Sequence, residues 1–157
     1  MDIRIRKAHL SDAPAIAELY LQFWEIHKGI DPLMEHSRKL KFSEVIDLAK
    51  KYLKKKKRYH FVAELGSKVV GYIDFTLKEN DAHAKYLLYG SLESCVTDKA
   101  YRGKGIAKLL TEAMIYFFVS KGVKYIRTES YLANESAVET WKKMGFKPLL
   151  YTMNKEL

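Results

Sequence analysis

Hydrophobic and polar positions along the chain switch between a period of two and a period near 3.6, which predicts strands interleaved with helices. Residues 2–6 alternate polar and apolar, as a short half-buried strand does. Ser11 or Asp12 then offers an N-cap, Pro14 suits a first helical turn, and apolar residues follow at helical spacing: Ile16, Leu19, Tyr20, Phe23 and Trp24. We therefore expect a strand and then a helix that ends before the turn-rich residues 29–32.

The middle of the chain predicts a second helix and a β-hairpin. Residues 43–57 carry an apolar stripe at helical spacing, made of Val45, Ile46, Ala49, Tyr52 and Leu53. Residues 60–65 and 69–78 are rich in Val, Tyr, Ile and Phe, and a short glycine-containing turn joins them as in a hairpin. Residues 86–97 predict a third long strand, in which Gly90 marks a bend or a bulge.

The last third of the chain predicts helices alternating with strands. After Gly105, apolar residues recur without a break at helical spacing: Ile106, Leu109, Leu110, Ala113, Met114, Phe117 and Phe118. Residues 123–131 predict a strand, Asn134 caps a helix that runs through residue 144, and residues 146–153 predict a final strand. We therefore expect an α/β fold of the mixed α+β kind, with helices on both faces of a mixed sheet.

The amino-acid composition limits the classes of protein to which this chain can belong. The chain has 157 residues, 48% of them apolar and 13% aromatic, so we expect one folded domain over residues 1–157. Disorder is excluded, and no apolar run reaches the roughly 18 residues of a membrane-spanning helix. The first residues lack the apolar stretch of a secretory signal, so we expect a cytoplasmic protein. One cysteine cannot form an intrachain disulfide, and the five histidines lack the spacing of a metal site, so we expect no metal.

The net charge of +9 is concentrated in one segment. Residues 38–58 contain ten Lys or Arg and two Asp or Glu, which is a net charge of +8. Such a segment attracts acidic partners, nucleic acid among them. The same lysines fall at the end of a predicted helix, where cations complement the helix dipole and stay solvated. Because the run contains no groove-reading or base-stacking pattern, we favour the solvated helix end over a nucleic-acid partner.

A glycine turn joins the third long strand to the most strongly patterned helix. Gly103 and Gly105 let backbone N–H groups approach a ligand, and the helix N-terminus adds a partial positive charge. A phosphate or pyrophosphate suits this turn, and Arg102, Lys104 and Lys108 supplement the attraction. The turn matches neither G-x-x-x-x-G-K-[ST] nor G-x-G-x-x-G. A turn that merely tightens the connection is the alternative.

The residues 102–107, Arg-Gly-Lys-Gly-Ile-Ala, fit the pattern R-x-x-G-x-A. With this motif the chain resembles the GNAT superfamily, the Gcn5-related N-acetyltransferases, whose acyl-coenzyme A motif is [RQ]-x-x-G-x-[GA]. Two further elements resemble the family in the right order: Arg6, Ala8, Asp12 and Ile16 near the start, and Asn134, Ala137, Lys142, Gly145 and Phe146 near the end. The resemblance covers nearly the whole chain and implies a mostly antiparallel sheet with a splayed central strand pair.

What the resemblance implies is direct transfer of an acetyl group from the cosubstrate acetyl-CoA to an amine of a small molecule, peptide or protein. Pantetheine is expected in the splay and the pyrophosphate on the glycine turn. The expected coenzyme-binding residues are Cys95, Val96, Thr97, Arg102, Gly103, Lys104, Gly105, Ile106, Ala107, Lys108, Asn134 and Trp141. An N–H near Cys95 or Val96 is expected to stabilise the oxyanion, an effect worth about 3 kcal/mol in other acyl transfers.

Glu93 is the expected general base, because its place resembles that of the glutamate that several GNAT enzymes use. An alkylammonium with a pKa near 10.4 is only about one part in a thousand neutral at pH 7, so the reaction needs a proton acceptor. A strand carboxylate that merely faces solvent is the alternative. Cys95 is not expected to act as a nucleophile, because no His or Asn is placed to activate it.

The proton donor to the leaving thiolate departs from the family pattern. Trp141 stands where the usual tyrosine would be, and an indole N–H is no practical acid. Tyr131 is the substitute candidate, although a tyrosine at a strand end is commonly a packing residue. Alternatively the thiolate leaves unassisted, since a thiol pKa near 8.5 makes it a tolerable leaving group.

The acceptor amine stays open. The family builds its acceptor site largely from the first two helices and their loop, so the candidate lining residues are Trp24, Glu25, His27, Asp31, Glu35 and His36. Their acidic members suit a cationic amine, whereas the basic run repels a polycation. Two other functions also stay open: a coenzyme A-binding regulatory module without turnover, and nucleic-acid binding through residues 38–58. A homodimer is compatible with the sequence.

Overall fold

The computed structural model describes residues 2–32 and 39–155. Within these residues the chain forms five strands and four α-helices. The strands are β1 (Ile3–Lys7), β2 (Arg58–Leu65), β3 (Lys68–Glu79), β4 (Leu88–Thr97) and β5 (Ile126–Thr128). The helices are α1 (Ala13–His27), α2 (Phe42–Leu53), α3 (Ile106–Ser120) and α4 (Glu135–Lys143).

The strands form one sheet in the order β1-β2-β3-β4-β5. Neighbouring strands from β1 to β4 are antiparallel, and β5 lies parallel to β4. The tight turn between β2 and β3 contains Gly66, whose φ of 61° is a left-handed conformation that glycine adopts without strain. The prediction of a mixed, mostly antiparallel sheet is confirmed.

Helices cover both faces of the sheet, as predicted. On the face that we call the α1–α2 face, Ile16 of α1 and Val45 of α2 share a buried cluster with Tyr72 of β3. On the opposite face, which we call the α3 face, Met114 of α3 belongs to a second buried cluster with Ile73 of β3. Because apolar residues recur at helical spacing, each of these helices has one buried stripe. Successive side chains along a strand point to opposite faces of the sheet, so the neighbours Tyr72 and Ile73 belong to different clusters.

Strand β4 contains the irregularity that shapes the functional site. Ser94 pairs with Asp74 and Leu92 pairs with Phe75, so Glu93 is the extra residue of a β-bulge. The bulge is therefore not at Gly90, where the sequence analysis expected a bend or a bulge. Gly90 instead allows close packing, because a Cβ atom there would lie 2.5 Å from the ring of Phe118.

One helix and one strand are shorter than the sequence predicted. The helix expected over residues 43–57 ends at Leu53, because residues 54–57 turn into β2 and the Arg58 guanidinium packs 4.2 Å from the centre of the Tyr52 ring. The strand expected over residues 123–131 is confined to Ile126–Thr128, the only residues of that stretch that pair with β4.

The strand expected over residues 146–153 is also wrong. No strand forms in the described residues after α4, and the apolar side chains there are exposed: Leu149, Leu150, Tyr151 and Met153. Their β-propensity reflects how well such residues pack on a half-buried sheet. Without a partner edge in the described part of the chain, the propensity alone makes no strand.

Candidate active site

Strands β4 and β5 separate within the sheet. Residues 90–92 of β4 pair with Ile126–Thr128, after which β4 continues to Thr97 while β5 ends. On the β5 side, residues 93–97 therefore have no strand partner in the described part of the chain, and an extended amide chain could bond to their backbone. A cavity of about 170 Å³ lies where the strands separate, lined by Lys78, Tyr89, Ser91, Leu92, Glu93, Arg127, Thr128 and Glu129.

Glu93 lines this cavity from the β-bulge. Its Oε1 accepts a hydrogen bond from Thr76 Oγ1 at 2.7 Å and lies 3.2 Å from Lys78 Nζ. Burial acts to raise the pKa of Glu93, but hydrogen bonds from Thr76 and Ser91 and the nearby Lys78 outweigh it and hold the pKa below its usual value. The side chain is therefore an ionised carboxylate at neutral pH, with 28% of its surface exposed.

A buried ion pair, which the sequence analysis missed, lies beside the bulge. Asp74 is fully buried, and its carboxylate accepts hydrogen bonds from Arg58 of β2 and Ser94 of β4. Because Ser94 adjoins Glu93, these bonds hold β4 against β3 at the bulge. The sequence carried a signal for it, since Asp74 interrupts an apolar strand and a buried carboxylate needs a charged or hydrogen-bonding partner.

A second polar cluster lies on the α1–α2 face, which also contains Asp74. The Tyr72 hydroxyl is 3.0 Å from that of Tyr20 and 2.8 Å from His60 Nδ1. Burial, assisted by the charge of Arg58, lowers the pKa of His60 to about 4. His60 is therefore neutral at physiological pH and contributes to the fold as a hydrogen-bonding group.

The glycine turn before α3 is an open backbone site. Gly103 and Gly105 have φ values of 74° and 79°, and a Cβ atom at either position would meet nothing within 4 Å. The turn leads into α3, a helix of 15 residues whose first N–H groups lack intrahelical partners. Open space, free N–H groups and the helix dipole together suit an anion.

The residues between the strand separation and the glycine turn offer polar groups to a ligand. Thr97 Oγ1 is buried and has no hydrogen-bond partner among the described residues, while Arg102 Nε donates to the Thr97 carbonyl at 3.3 Å. A buried hydroxyl without a partner calls for a polar neighbour. Lys104 borders the turn, with its ammonium 5.1 Å from the centre of the Tyr101 ring, whereas the Lys108 ammonium lies 3.8 Å from Glu112, one helical turn further along α3.

Other predicted coenzyme residues have structural partners. Ile106 is buried beneath the turn, and the Ala107 carbonyl accepts a hydrogen bond from Thr111 Oγ1 at 2.8 Å. Trp141 packs against the α3-face cluster and makes an edge contact with Phe146, at 5.7 Å between ring centres. Burial raises the pKa of the Cys95 thiol to about 12, which argues against a nucleophilic thiolate.

The C-terminal end of α1 is joined to the loop between β5 and α4. The Tyr131 hydroxyl donates to Asp31 Oδ2 at 2.7 Å, and burial together with that bond raises the pKa of Tyr131 to about 12. His27 Nδ1 donates to the Phe23 carbonyl at 2.8 Å, which leaves His27 Nε2 as the acceptor for Asn134 Nδ2 at 3.4 Å. The bond to Asp31 occupies the Tyr131 hydroxyl, so the geometry disfavours Tyr131 as a proton donor.

The four acceptor-site candidates among the described residues lie in different places. His27 and Asp31 lie together with Tyr131, as described above. Trp24 stacks on Tyr20 at 6.1 Å between ring centres and belongs to the α1–α2 face, and Glu25 is exposed. Glu35 and His36 lie outside the described residues.

The sequence profile described as "Acetyltransferase (GNAT) family" matches residues 14–146. The chain therefore belongs to the GNAT acetyltransferase family, and the predicted family is confirmed. No helix among the described residues is long and apolar enough to cross a bilayer. Among the same residues, no three His, Cys, Asp or Glu side chains are grouped as metal ligands would be.

Curated relatives are N-acetyltransferases. The chain is 30% identical over 88 residues to N-alpha-acetyltransferase 30 of Schizosaccharomyces pombe, covering 56% of this chain and 57% of that protein. It is 29% identical over 117 residues to N-acetyltransferase 8F1 of Mus musculus, covering 74% of this chain and 51% of that protein. The chain thus spans about half the length of these relatives.

Solved structures share the fold over nearly the whole chain. The BH1408 protein of Bacillus halodurans superposes with a TM-score of 0.83 at 23% identity, covering 98% of this chain and 99% of that one. Ribosomal-protein-alanine N-acetyltransferase of Brucella melitensis has a TM-score of 0.78 at 16% identity, with 100% of both chains covered. An aminoglycoside N-acetyltransferase solved in complex with CoA has a TM-score of 0.77 at 15% identity, covering 99% of this chain and 95% of that one.

Proposed function

We propose that this chain transfers the acetyl group of acetyl-CoA directly to an amine. The observation that carries the proposal is a pair of open backbone segments, residues 93–97 of β4 and the turn with Gly103 and Gly105, separated by residues 98–101, whose N–H groups are bonded within the protein. The two open segments offer unpaired donors and acceptors to an extended amide chain and then to a pyrophosphate. Membership of the acetyltransferase family and the N-acetyltransferase names of the relatives support the same activity.

The acceptor amine is proposed to meet the thioester at Glu93. When bound, acetyl-CoA supplies an activated acetyl group. Glu93 is ionised and lines the cavity, so it attracts an ammonium group and accepts its proton directly or through water. Backbone N–H groups of Cys95 or Val96 then stabilise the developing oxyanion.

The leaving thiolate is proposed to depart without a protein acid. The Tyr131 hydroxyl donates a hydrogen bond to Asp31, and Trp141 packs beside Phe146. A thiol with an ordinary pKa near 8.5 is a tolerable leaving group, so the reaction does not require a general acid. This is the step in which the chain differs most from the family pattern.

Equilibrium titration with acetyl-CoA tests the coenzyme site. We expect saturable binding, and we expect Gly105→Glu to weaken it by at least about 100-fold, because a carboxylate and a strained left-handed residue would occupy the pyrophosphate site. Gly145→Glu, at another left-handed glycine outside the turn, serves as the matched control for strain. Equal affinities for the parent and Gly105→Glu would rule out the site.

Release of free thiol during incubation with amines tests the base. We expect Glu93→Gln to lower kcat by about 100-fold or more while the acetyl-CoA affinity is unchanged. Glu129→Gln changes another carboxylate of the same cavity and is expected to have a much smaller effect. Equal kcat values for Glu93→Gln and the parent would remove Glu93 from the chemistry.

A coenzyme A-binding regulatory module without turnover is the second candidate. It is favoured by the hydrogen bond that occupies the Tyr131 hydroxyl and by the packed indole of Trp141, which leave no evident acid at the site among the described residues. Saturable acetyl-CoA binding with no thiol release from any amine in a broad panel would select this function over acetyl transfer.

A further inference from the structure

The turn that precedes β2 carries an unbalanced positive charge. Residues 54–57, which we call the lysine turn, are four consecutive exposed lysines between α2 and β2. Lys57 pairs with Glu79 at 2.8 Å. Among the described residues, no carboxylate lies within ion-pair distance of Lys54, Lys55 or Lys56. The turn therefore presents three free ammonium groups to an approaching ligand.

Strand register locates the lysine turn relative to Glu93. Arg58 pairs with Thr76 of β3, and Thr76 bonds Glu93 of β4. The Lys57 carbonyl accepts the Leu77 N–H at 3.4 Å, and Leu77 pairs with Gly90, so the last residue of the turn lies three residues of β4 away from the level of Glu93. Two strand spacings separate β2 from β4, which is about 10 Å. Because this exceeds the Debye length of about 8 Å at physiological salt, the lysines act on a ligand that extends from Glu93 to the turn rather than on a group held at Glu93 alone.

We propose, on the basis of the proposed acetyl transfer, that the acceptor is the amine of a peptide or protein segment whose acidic side chains bind the lysine turn. An extended chain advances about 3.4 Å per residue, so these acidic side chains fall about three to five residues from the acetylated amine. A small amine is too short to reach both places. A polycationic acceptor is repelled by the same charges.

Nucleic acid is the less favoured ligand of the lysine turn. Its four residues are all lysines, with no aromatic side chain on which a base could stack. The turn also leads into β2, two strands from Glu93 on β4, which is where an amine acceptor has to bind. An acidic peptide uses both features, whereas a nucleic acid uses only the charge.

Peptides of matched length test the proposal on the full chain. Ten-residue peptides with a free N-terminal amine carry Asp, Ser or Lys at positions 3–5, and thiol release and fluorescence anisotropy measure kcat/KM and affinity. We expect kcat/KM for the Asp peptide to exceed that for the Ser peptide by about tenfold at low salt, the Lys peptide to be the poorest, and the differences to shrink as salt is added.

Charge-reversal variants identify the residues responsible. The triple variant Lys54→Glu, Lys55→Glu and Lys56→Glu is expected to invert the order of the three peptides. A control triple variant with the same change in net charge, Arg4→Glu, Lys7→Glu and Lys121→Glu, alters exposed cations on β1 and after α3 and is expected to keep the order.

An unchanged order in the lysine-turn variant, or equal values for the three peptides with the parent, would overturn the proposal. Tight binding of a duplex oligonucleotide without any preference among the peptides would also overturn it and assign the turn to nucleic acid. If no peptide releases thiol, the proposed acetyl transfer fails on these acceptors, while the anisotropy order still decides whether the turn binds acidic peptides.

Discussion

The two faces of the sheet are stabilised by different chemistry. The α3 face buries apolar side chains, for example Phe75, whose ring centre lies 5.0 Å from that of Phe118. Nondirectional packing of this kind contributes to the free energy of unfolding. The α1–α2 face buries Asp74 and His60 in directional hydrogen bonds next to the bulge that presents Glu93. Both faces therefore contribute to stability, whereas the site geometry depends mainly on the α1–α2 face, and substitutions on each face should separate the two properties.

The largest expected effect is that of Asp74→Ala on the α1–α2 face. The change leaves the Arg58 guanidinium, whose side chain is 14% exposed, without its carboxylate, and such an uncompensated charge costs about 3–5 kcal/mol. It also frees Ser94 beside Glu93. We expect the free energy of unfolding in urea to fall by this amount and kcat to fall as well.

Met114→Ala on the α3 face is the matched comparison. A buried Met→Ala change costs about 2–5 kcal/mol of stability, but no hydrogen bond near Glu93 depends on Met114. We expect kcat and KM of the folded protein to stay within about twofold of the parent. Equal changes in kcat and KM for the two variants would mean that the site geometry does not depend on the α1–α2 face more than on the α3 face.

A smaller effect is expected from pH, again on the α1–α2 face. His60 has a pKa of about 4 in the folded chain against 6.5 in a model peptide, so only the unfolded chain binds its proton between these values. Stability contributed by His60 is present above pH 6.5 and is lost as the pH falls toward 4, by up to about 3 kcal/mol.

Urea unfolding of the parent and of the His60→Gln variant at several pH values checks this prediction. His60→Gln removes the titrating group while keeping a polar side chain, so the stability of this variant should fall less steeply than that of the parent below pH 6.5. Parallel pH profiles for the two proteins would show that His60 does not take up its proton on unfolding in this range.

The smallest expected effect is that of Tyr131→Phe, at the junction of α1 with the β5–α4 loop. The change removes the hydrogen bond to Asp31 and costs about 1 kcal/mol of stability. Because the thiolate is proposed to leave unassisted, kcat should change little. A fall of about 100-fold or more would instead identify Tyr131 as the general acid.

Local patterns predicted most of the fold. The apolar series that begins at Ile106 predicted α3, and the side chain of Asn134 caps α4 by accepting the N–H of Ala137, as expected. Both signals lie within a few neighbouring residues. The exposed tail after α4 shows the limit of such reasoning, because a strand needs a partner edge that composition does not reveal.

The site was predictable only in part, because some of the residues that shape it are far apart along the chain. The glycine turn is continuous in sequence, and its left-handed glycines and open surroundings follow from residues 102–107. The bulge at Glu93 depends on bonds among Arg58, Asp74 and Ser94, which are 16 and 20 residues apart along the chain. Spacing did not reveal that pairing, although a carboxylate within an apolar strand was a hint of it. The expected single domain, cytoplasmic location and homodimer stay predictions.

A crystal structure of the chain with coenzyme A bound tests the central claim most directly. We expect the pyrophosphate oxygens to accept hydrogen bonds from the backbone at Gly103 and Gly105, and pantetheine to run beside the unpaired edge of residues 93–97. Coenzyme A bound elsewhere on the protein, with the glycine turn free of ligand contacts, would contradict the account.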